Sequence, residues 1–154
     1  MGFFKRTIRS VPINNKTVLV RADYNVPQNS KGGISDDLRI RASLPTIEYL
    51  LAHHSKVVIM SHLGRPEGRE EKYSLKPVAK RLSELLDKKV IFVDDCIGDK
   101  VVQAVKKAPN ESIILLENLR YYKEEEANDT AFAEKIAKST GARYFVQDGF
   151  GVVH

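Results

Sequence analysis

The stretch Val57-Val-Ile-Met-Ser-His-Leu-Gly-Arg-Pro66 decides the fold. Its first four residues are apolar without alternation, the pattern of a strand covered on both faces. A polar, glycine-containing loop follows at once. Four more runs of the same kind lie along the chain, at Thr17–Val20, Val90–Val93, Ile113–Leu116 and Tyr144–Val146. Between them the period changes. Ile40, Leu44, Ile47 and Leu51 recur at helical spacing, with Pro45 blurring where that helix starts. Leu75, Val78, Ala79, Leu82 and Leu86 do the same; Ser74 is placed to cap that helix, with Pro77 in its tolerant first turn. Further helices are predicted over Asp99–Lys106 and Asp129–Ser139, the latter capped by Asn128 and ended by Gly141. Strand–helix alternation of this kind predicts an α/β protein: three layers, α/β/α, around a mainly parallel, Rossmann-like sheet.

The 154 residues suit one such domain and hardly two. With 42% hydrophobic and 29% charged residues the composition is globular rather than disordered. No apolar run approaches the roughly 20 residues of a membrane span, and the N-terminus lacks a signal-peptide pattern. A lone Cys96 excludes a disulfide framework or a cysteine metal cluster and fits a reducing cytoplasm. The formal charge of +5 is unevenly spread: residues 1–65 hold 10 Lys/Arg against 4 Asp/Glu, and residues 66–154 hold 15 against 16. A basic half implies an anionic partner, a small phosphorylated ligand or a polyanion, unless the excess is plain surface lysine.

Polar residues collect where each apolar run ends. Arg21, Asp23 and Asn25 follow the first run and, alternating with Ala22 and Tyr24, share one face of an extended chain. Ser61, His62 and Arg65 follow the second, Asp94 and Asp95 the third, Glu117, Asn118 and Arg120 the fourth, and Gln147 and Asp148 the fifth. Open parallel sheets bind ligands beyond the carboxyl ends of their strands, so four of these five clusters would converge on one crevice. Arg39 stands near a helix start, where it serves either an anion or solvent. Glu117 and Arg120 read equally well as an ion pair or as ligand contacts. Arginine binds carboxylate or phosphate through a planar fork, and several arginines at one point call for an anion between them. No Gly-x-x-x-x-Gly-Lys-Ser/Thr loop is present, no His/Asp/Glu set has metal spacing, and Gly149-Phe-Gly151 is discounted as a dinucleotide fingerprint. Ser61 and His62, as sequence neighbours, do not make a nucleophile–base pair, and His53-His54 marks the solvent end of a helix.

Several of these blocks resemble the phosphoglycerate kinase family: Val20-Arg-Ala-Asp-Tyr-Asn-Val-Pro27, Asp37-Leu-Arg-Ile-Arg-Ala42, Ser61-His-Leu-Gly-Arg-Pro66, Ser74-Leu-Lys-Pro-Val-Ala79 and Leu116-Glu-Asn-Leu-Arg120. The resemblance implies the N-terminal, acid-substrate domain of a two-domain kinase, incomplete over residues 1–154 and lacking the nucleotide domain. That family moves a phosphoryl group between 1,3-bisphosphoglycerate and Mg-ADP, giving 3-phosphoglycerate and ATP, in cytoplasmic glycolysis. By motif match, Asp23 and Asn25 would meet the glycerate hydroxyl and carboxylate region. Arg21, His62, Arg65 and Arg120 would hold the phosphate and carboxylate, and Arg39 would be the catalytic arginine. Magnesium and ATP or ADP would bind the missing domain. Neither a membrane nor a nucleic acid is an expected partner; the family is usually monomeric, though a fragment is open to self-association. Two departures stand out: Gln147-Asp-Gly-Phe-Gly151 replaces the family's Asn-Asp-Ala-Phe-Gly, and the arginine expected after the match to His154 is missing. The chain alone is therefore expected to bind the acid weakly without transferring phosphate. The competing reading is a non-catalytic basic α/β domain for nucleic acid or another polyanion.

Overall fold

The computed structural model describes residues 11–123 and 130–148. Its five strands are β1 (Thr17–Ala22), β2 (Lys56–Met60), β3 (Val90–Val93), β4 (Ile113–Leu116) and β5 (Tyr144–Asp148). The helices are α1 (Leu38–Ala42), α2 (Leu44–Ala52), α3 (Lys76–Leu86), α4 (Asp99–Lys107) and α5 (Thr130–Thr140). Every pairing in the sheet is parallel, and the order is β3-β4-β2-β1-β5. The expected α/β/α architecture is present, with β4 inserted between β2 and β3. No helix among the described residues is long and apolar enough to cross a membrane.

Period two sorts the strands onto two cores. Val18, Val20, Val57, Ile59, Ile113 and Leu115 face α1, α2 and α3, whose Ile40, Ile47, Leu50, Leu75, Val78 and Leu82 close the first core. Leu19, Val58, Met60, Ile114 and Leu116 face the other way, onto Val101 and Val105 of α4 and Phe132 and Ile136 of α5. Burial on both sides explains why the runs read as unbroken apolar stretches. Each fully buried aliphatic side chain contributes about 1.5–3 kcal/mol.

The same geometry fixes where a ligand crevice must open. Right-handed crossovers carry the chain from β1 through β2 to β3 over one face, then back through β4 to β5 over the other. The connections leaving β2 and β4, which are adjacent, therefore depart to opposite sides of the sheet, and a gap remains beyond their carboxyl ends.

Local chemistry adjusts the expected element ends. The single helix expected through Ile40–Leu51 is two, meeting at Ser43, because Pro45 suits only a helix's first turn and α2 starts around it. Helix α3 takes Leu75 as its N-cap rather than Ser74. Strands β1 and β5 extend two residues beyond their apolar runs, which puts Arg21, Gln147 and Asp148 inside the sheet. Gly141 ends α5 as expected, at φ +64° with its N–H donating to Ala137 O. The cap expected of Asn128 and the Gly149-Phe-Gly151 segment lie outside the described residues. His53 does cap the C-terminus of α2, and His54 is exposed.

Candidate anion-binding crevice

Three strand ends are tied together by buried polar groups. Ser61 is fully buried just beyond β2, and its Oγ accepts from the Tyr24 backbone N–H at 2.9 Å, joining β2 to the chain leaving β1. That use is structural. Asn118, also fully buried, bridges β4 to the β2 loop. Its Oδ1 accepts from Leu63 N and Arg120 N, while its Nδ2 donates to Leu63 O at 2.8 Å and Tyr73 O at 2.9 Å. Both N–H donors and both lone pairs of that amide are engaged. Gly64 then links all three ends: its N–H donates to Asn25 Oδ1 at 2.9 Å, and its carbonyl accepts from Arg120 Nη1 at 3.3 Å.

On this frame the basic groups gather. Arg21 Nη2 lies 3.3 Å from His62 Nδ1. Guanidinium only donates, so Nδ1 accepts, and the geometry assigns His62 its neutral tautomer with the hydrogen on Nε2. Arg39 reaches back from α1: its Nη1 donates to Asp23 Oδ1 at 3.2 Å and to the Asn25 carbonyl at 2.9 Å. Asp23 Oδ1 also accepts from Asn25 N at 3.2 Å, closing an Asx turn that holds Asn25 outward. Arg65, next after Gly64, is exposed and makes no hydrogen bond or ion pair with the described residues. The contacts thus couple Arg21 with His62, Asp23 and Asn25 with Arg39, and Asn25 with Arg120 through Gly64. Such a set can hold an anion on arginine forks and accept from a hydroxyl through Asp23.

Two of the sequence clusters serve structure instead. Glu117 is 4% exposed; its Oε1 accepts from Leu75 N at 2.8 Å and Asn118 N at 2.9 Å, and its Oε2 from Ser74 Oγ at 2.7 Å. The carboxylate therefore shares the capping of the start of α3 with Ser74, whose Oγ accepts from Lys76 N at 3.2 Å. Of the two readings offered for Glu117, neither an ion pair with Arg120 nor a ligand contact describes it. Beyond β3, Asp94 accepts from Lys100 Nζ at 2.8 Å and Asp95 from the Tyr122 hydroxyl at 2.6 Å, while Arg69 donates to the Asp94 carbonyl. This acidic pair closes off its own edge. At the end of β5, Gln147 is paired in register with Arg21, and Asp148 with Ala22.

A separate open cleft of about 960 Å³ lies between the 31–37 loop and α3. Its cations Lys31, Lys76 and Lys80 are offset by Asp36, Glu71 and Glu84, so it carries no preference for an anion. At its margin Asp37 joins two helices: Oδ1 accepts from Arg41 Nε at 2.9 Å, and Oδ2 from Arg81 Nε at 2.9 Å and Nη2 at 2.8 Å. The Arg41 guanidinium first, and Arg81 second, hold the Asp37 carboxyl below the usual carboxylate range. A depressed folded value means the contact's contribution is complete above the unfolded carboxylate pKa of about 4 and is lost as pH falls through the folded value. Acid titration should therefore loosen α1 from α3 at the lower end of that window, read as amide shifts at Ile40 and Arg81. Asp37→Asn should remove the step, and identical acid profiles in the two proteins would contradict this assignment.

The fold and crevice together define a class: an open parallel α/β protein with arginines at the topological switch point of its sheet. Comparison with known proteins makes this specific. The phosphoglycerate kinase family profile matches residues 8–154, and the chain belongs to that family. It is 55% identical over 150 residues to a phosphoglycerate kinase of Hydrogenobaculum sp. (strain Y04AAS1), covering 97% of this chain and 38% of that one. To the Aquifex aeolicus (strain VF5) protein of the same name it is 53% identical, covering 97% and 37%. The crystal structure of the Pyrococcus horikoshii OT3 phosphoglycerate kinase superposes with a TM-score of 0.81 at 35% identity, over 92% of this chain and 36% of that one. The Coxiella burnetii structure gives 0.81 at 36% identity, over 94% and 35%. The chain spans little more than a third of the length of these relatives.

Proposed function

We propose that this chain supplies the acid-substrate site of a phosphoglycerate kinase. In that reaction the acyl phosphate of 1,3-bisphosphoglycerate gives its phosphoryl group to ADP, leaving 3-phosphoglycerate and ATP. The observation that supports this most directly is the state of Arg39. One nitrogen is anchored on Asp23 and Asn25, while Nε and Nη2 have no hydrogen-bond partner among the described residues. Half of a fixed fork is thus left for an anion. Phosphoryl transfer needs chiefly positioning and charge stabilisation, which such groups provide. In this reading Arg21, His62, Arg65 and Arg120 hold the ligand's phosphate and carboxylate, and Asp23 and Asn25 meet its hydroxyl and carboxylate region. Arg39 is the catalytic arginine, neutralising charge on the transferring group.

The nucleotide side is assigned to sequence outside this chain, since the family's length is nearly three times that matched here. No cluster of three or more metal-ligating side chains lies among the described residues. We assign magnesium, with ADP or ATP, to that other sequence. A reducing, cytoplasmic setting is part of the proposal and rests on the single, buried Cys96.

Titration of 3-phosphoglycerate into the isotopically labelled chain tests the reading. Backbone shifts are expected at Arg21, His62 and Arg120, with weak affinity, and no ATP should form from 1,3-bisphosphoglycerate and ADP. Silence at those three residues would sink the assignment. Binding of an oligonucleotide that persists at high salt, with no response to phosphoglycerate, would move it to the polyanion reading.

A further inference from the structure

Tyr24 stands between Asp23 and Asn25 but points the other way, fully buried in the first core. Its hydroxyl lies 2.7 Å from Ser43 Oγ, and Ser43 Oγ lies 2.7 Å from the Ile40 carbonyl. A carbonyl only accepts, so the Ser43 hydrogen is committed to Ile40, and the Tyr24 hydroxyl must be the donor to Ser43. Ile40 is the residue next to Arg39. Two hydrogen bonds therefore run from the segment that carries Asp23 and Asn25 to the helix that carries Arg39. Helix α1 is five residues long and ends at this contact. So short a helix has little stability of its own, and its place is set by what it is tied to. The second tie, Asp37 to Arg81, is on the surface and open to salt and acid. The Tyr24 tie is dry. Burial pushes the phenol above its ordinary range, which keeps the donor protonated.

We propose that Tyr24 and Ser43 are positioning residues: their buried hydrogen-bond relay sets Arg39 against Asp23 and the Asn25 carbonyl and thereby tunes affinity for the phosphorylated acid. The proposal rests on the role given to Arg39 above. Without the relay, α1 populates other placements, and apparent affinity falls by the fraction in which Arg39 is correctly set.

The experiment uses this chain with Tyr24→Phe, Ser43→Ala and the double variant, each removing hydroxyl oxygen with little change of volume. Two quantities are read: the Arg39 Nε–H resonance without ligand, and the dissociation constant for 3-phosphoglycerate. Each single variant should shift the Arg39 resonance and weaken binding about fivefold, the equivalent of about 1 kcal/mol. The double variant should lose no more than either single one, because one relay is broken in all three. An unshifted Arg39 signal and unchanged affinity, with only the melting temperature lowered, would reduce the pair to two satisfied core hydroxyls and overturn the proposal. If the unaltered chain does not respond to phosphoglycerate, the reading under Proposed function fails. The Arg39 resonance still decides the relay: a shift in Tyr24→Phe supports it, and no shift overturns it.

Discussion

Replacing Glu117 with alanine should destabilise the fold by about 3–5 kcal/mol, since each buried donor left without a partner costs about 1–3 kcal/mol. Three donors converge on this carboxylate: the Leu75 and Asn118 amides and the Ser74 hydroxyl. Leu75 and Asn118 are fully buried, so water cannot replace the lost acceptor for their side of the site. The loss acts on two levels. It uncaps α3, and it frees the backbone of Asn118, whose amide couples β4 to the Leu63–Gly64 loop. Total stabilities of domains this size are about 5–15 kcal/mol, so the change removes a large share. Glu117→Gln should be much milder, because its oxygen can still accept from both amides while Ser74 Oγ accepts from the new N–H. Urea titration checks this, as a large fall in midpoint for the alanine variant and a small one for glutamine at similar slope. Equal midpoints for the two variants would show that the carboxylate's acceptor role is misassigned.

Gly64→Ala is the second large effect, and it reaches stability and binding together. Gly64 sits at φ +64°, and an added Cβ would fall 2.5 Å from Tyr73 Cε1. The left-handed backbone costs a non-glycine residue about 1–2 kcal/mol. The clash adds a typical overpacking penalty of about 1–3 kcal/mol, for an expected total of about 2–5 kcal/mol. The functional consequence follows from what the backbone of Gly64 touches. Its N–H fixes Asn25 and its carbonyl fixes Arg120, so displacing it loosens two sides of the crevice at once. Phosphoglycerate titration of the variant should lose its response at both residues. Adding Tyr73→Ala should restore the steric part of the stability and leave the backbone part. If the double variant is no more stable than Gly64→Ala alone, the Tyr73 contact is not the source of the cost.

Much of this architecture was legible beforehand because burial writes itself into residue order. Unbroken Val/Ile runs mark strands covered on both faces, and all five appeared within two residues of where the apolar runs place them. The polar residues at those ends could be located for the same reason. Their individual duties could not. Glu117 and Arg120 stand three residues apart after one strand, yet one caps a helix and the other reaches the β2 loop. Asp94 and Asp95 occupy an equivalent strand end and are bound up at their own edge by Lys100 and Tyr122. In the sequence Tyr24 is only a spacer between two candidate ligands. Its hydroxyl mattered because Ser43, 19 residues away, arrives beside it.

By itself, then, the sequence determined the α/β class, the strand positions and the blocks that tie the chain to its family. These follow from composition and local periodicity, which a parallel sheet between helices imposes on its strands. Tertiary structure alone decided which polar groups are bound up in the scaffold. A hydrogen bond consumes a donor only when a partner is brought within about 3 Å, and the chain order carries no record of that meeting. Arg39 illustrates both halves: its motif was visible in the sequence, but only the fold shows one nitrogen anchored on Asp23 and Asn25 and the rest of the fork without a partner among the described residues.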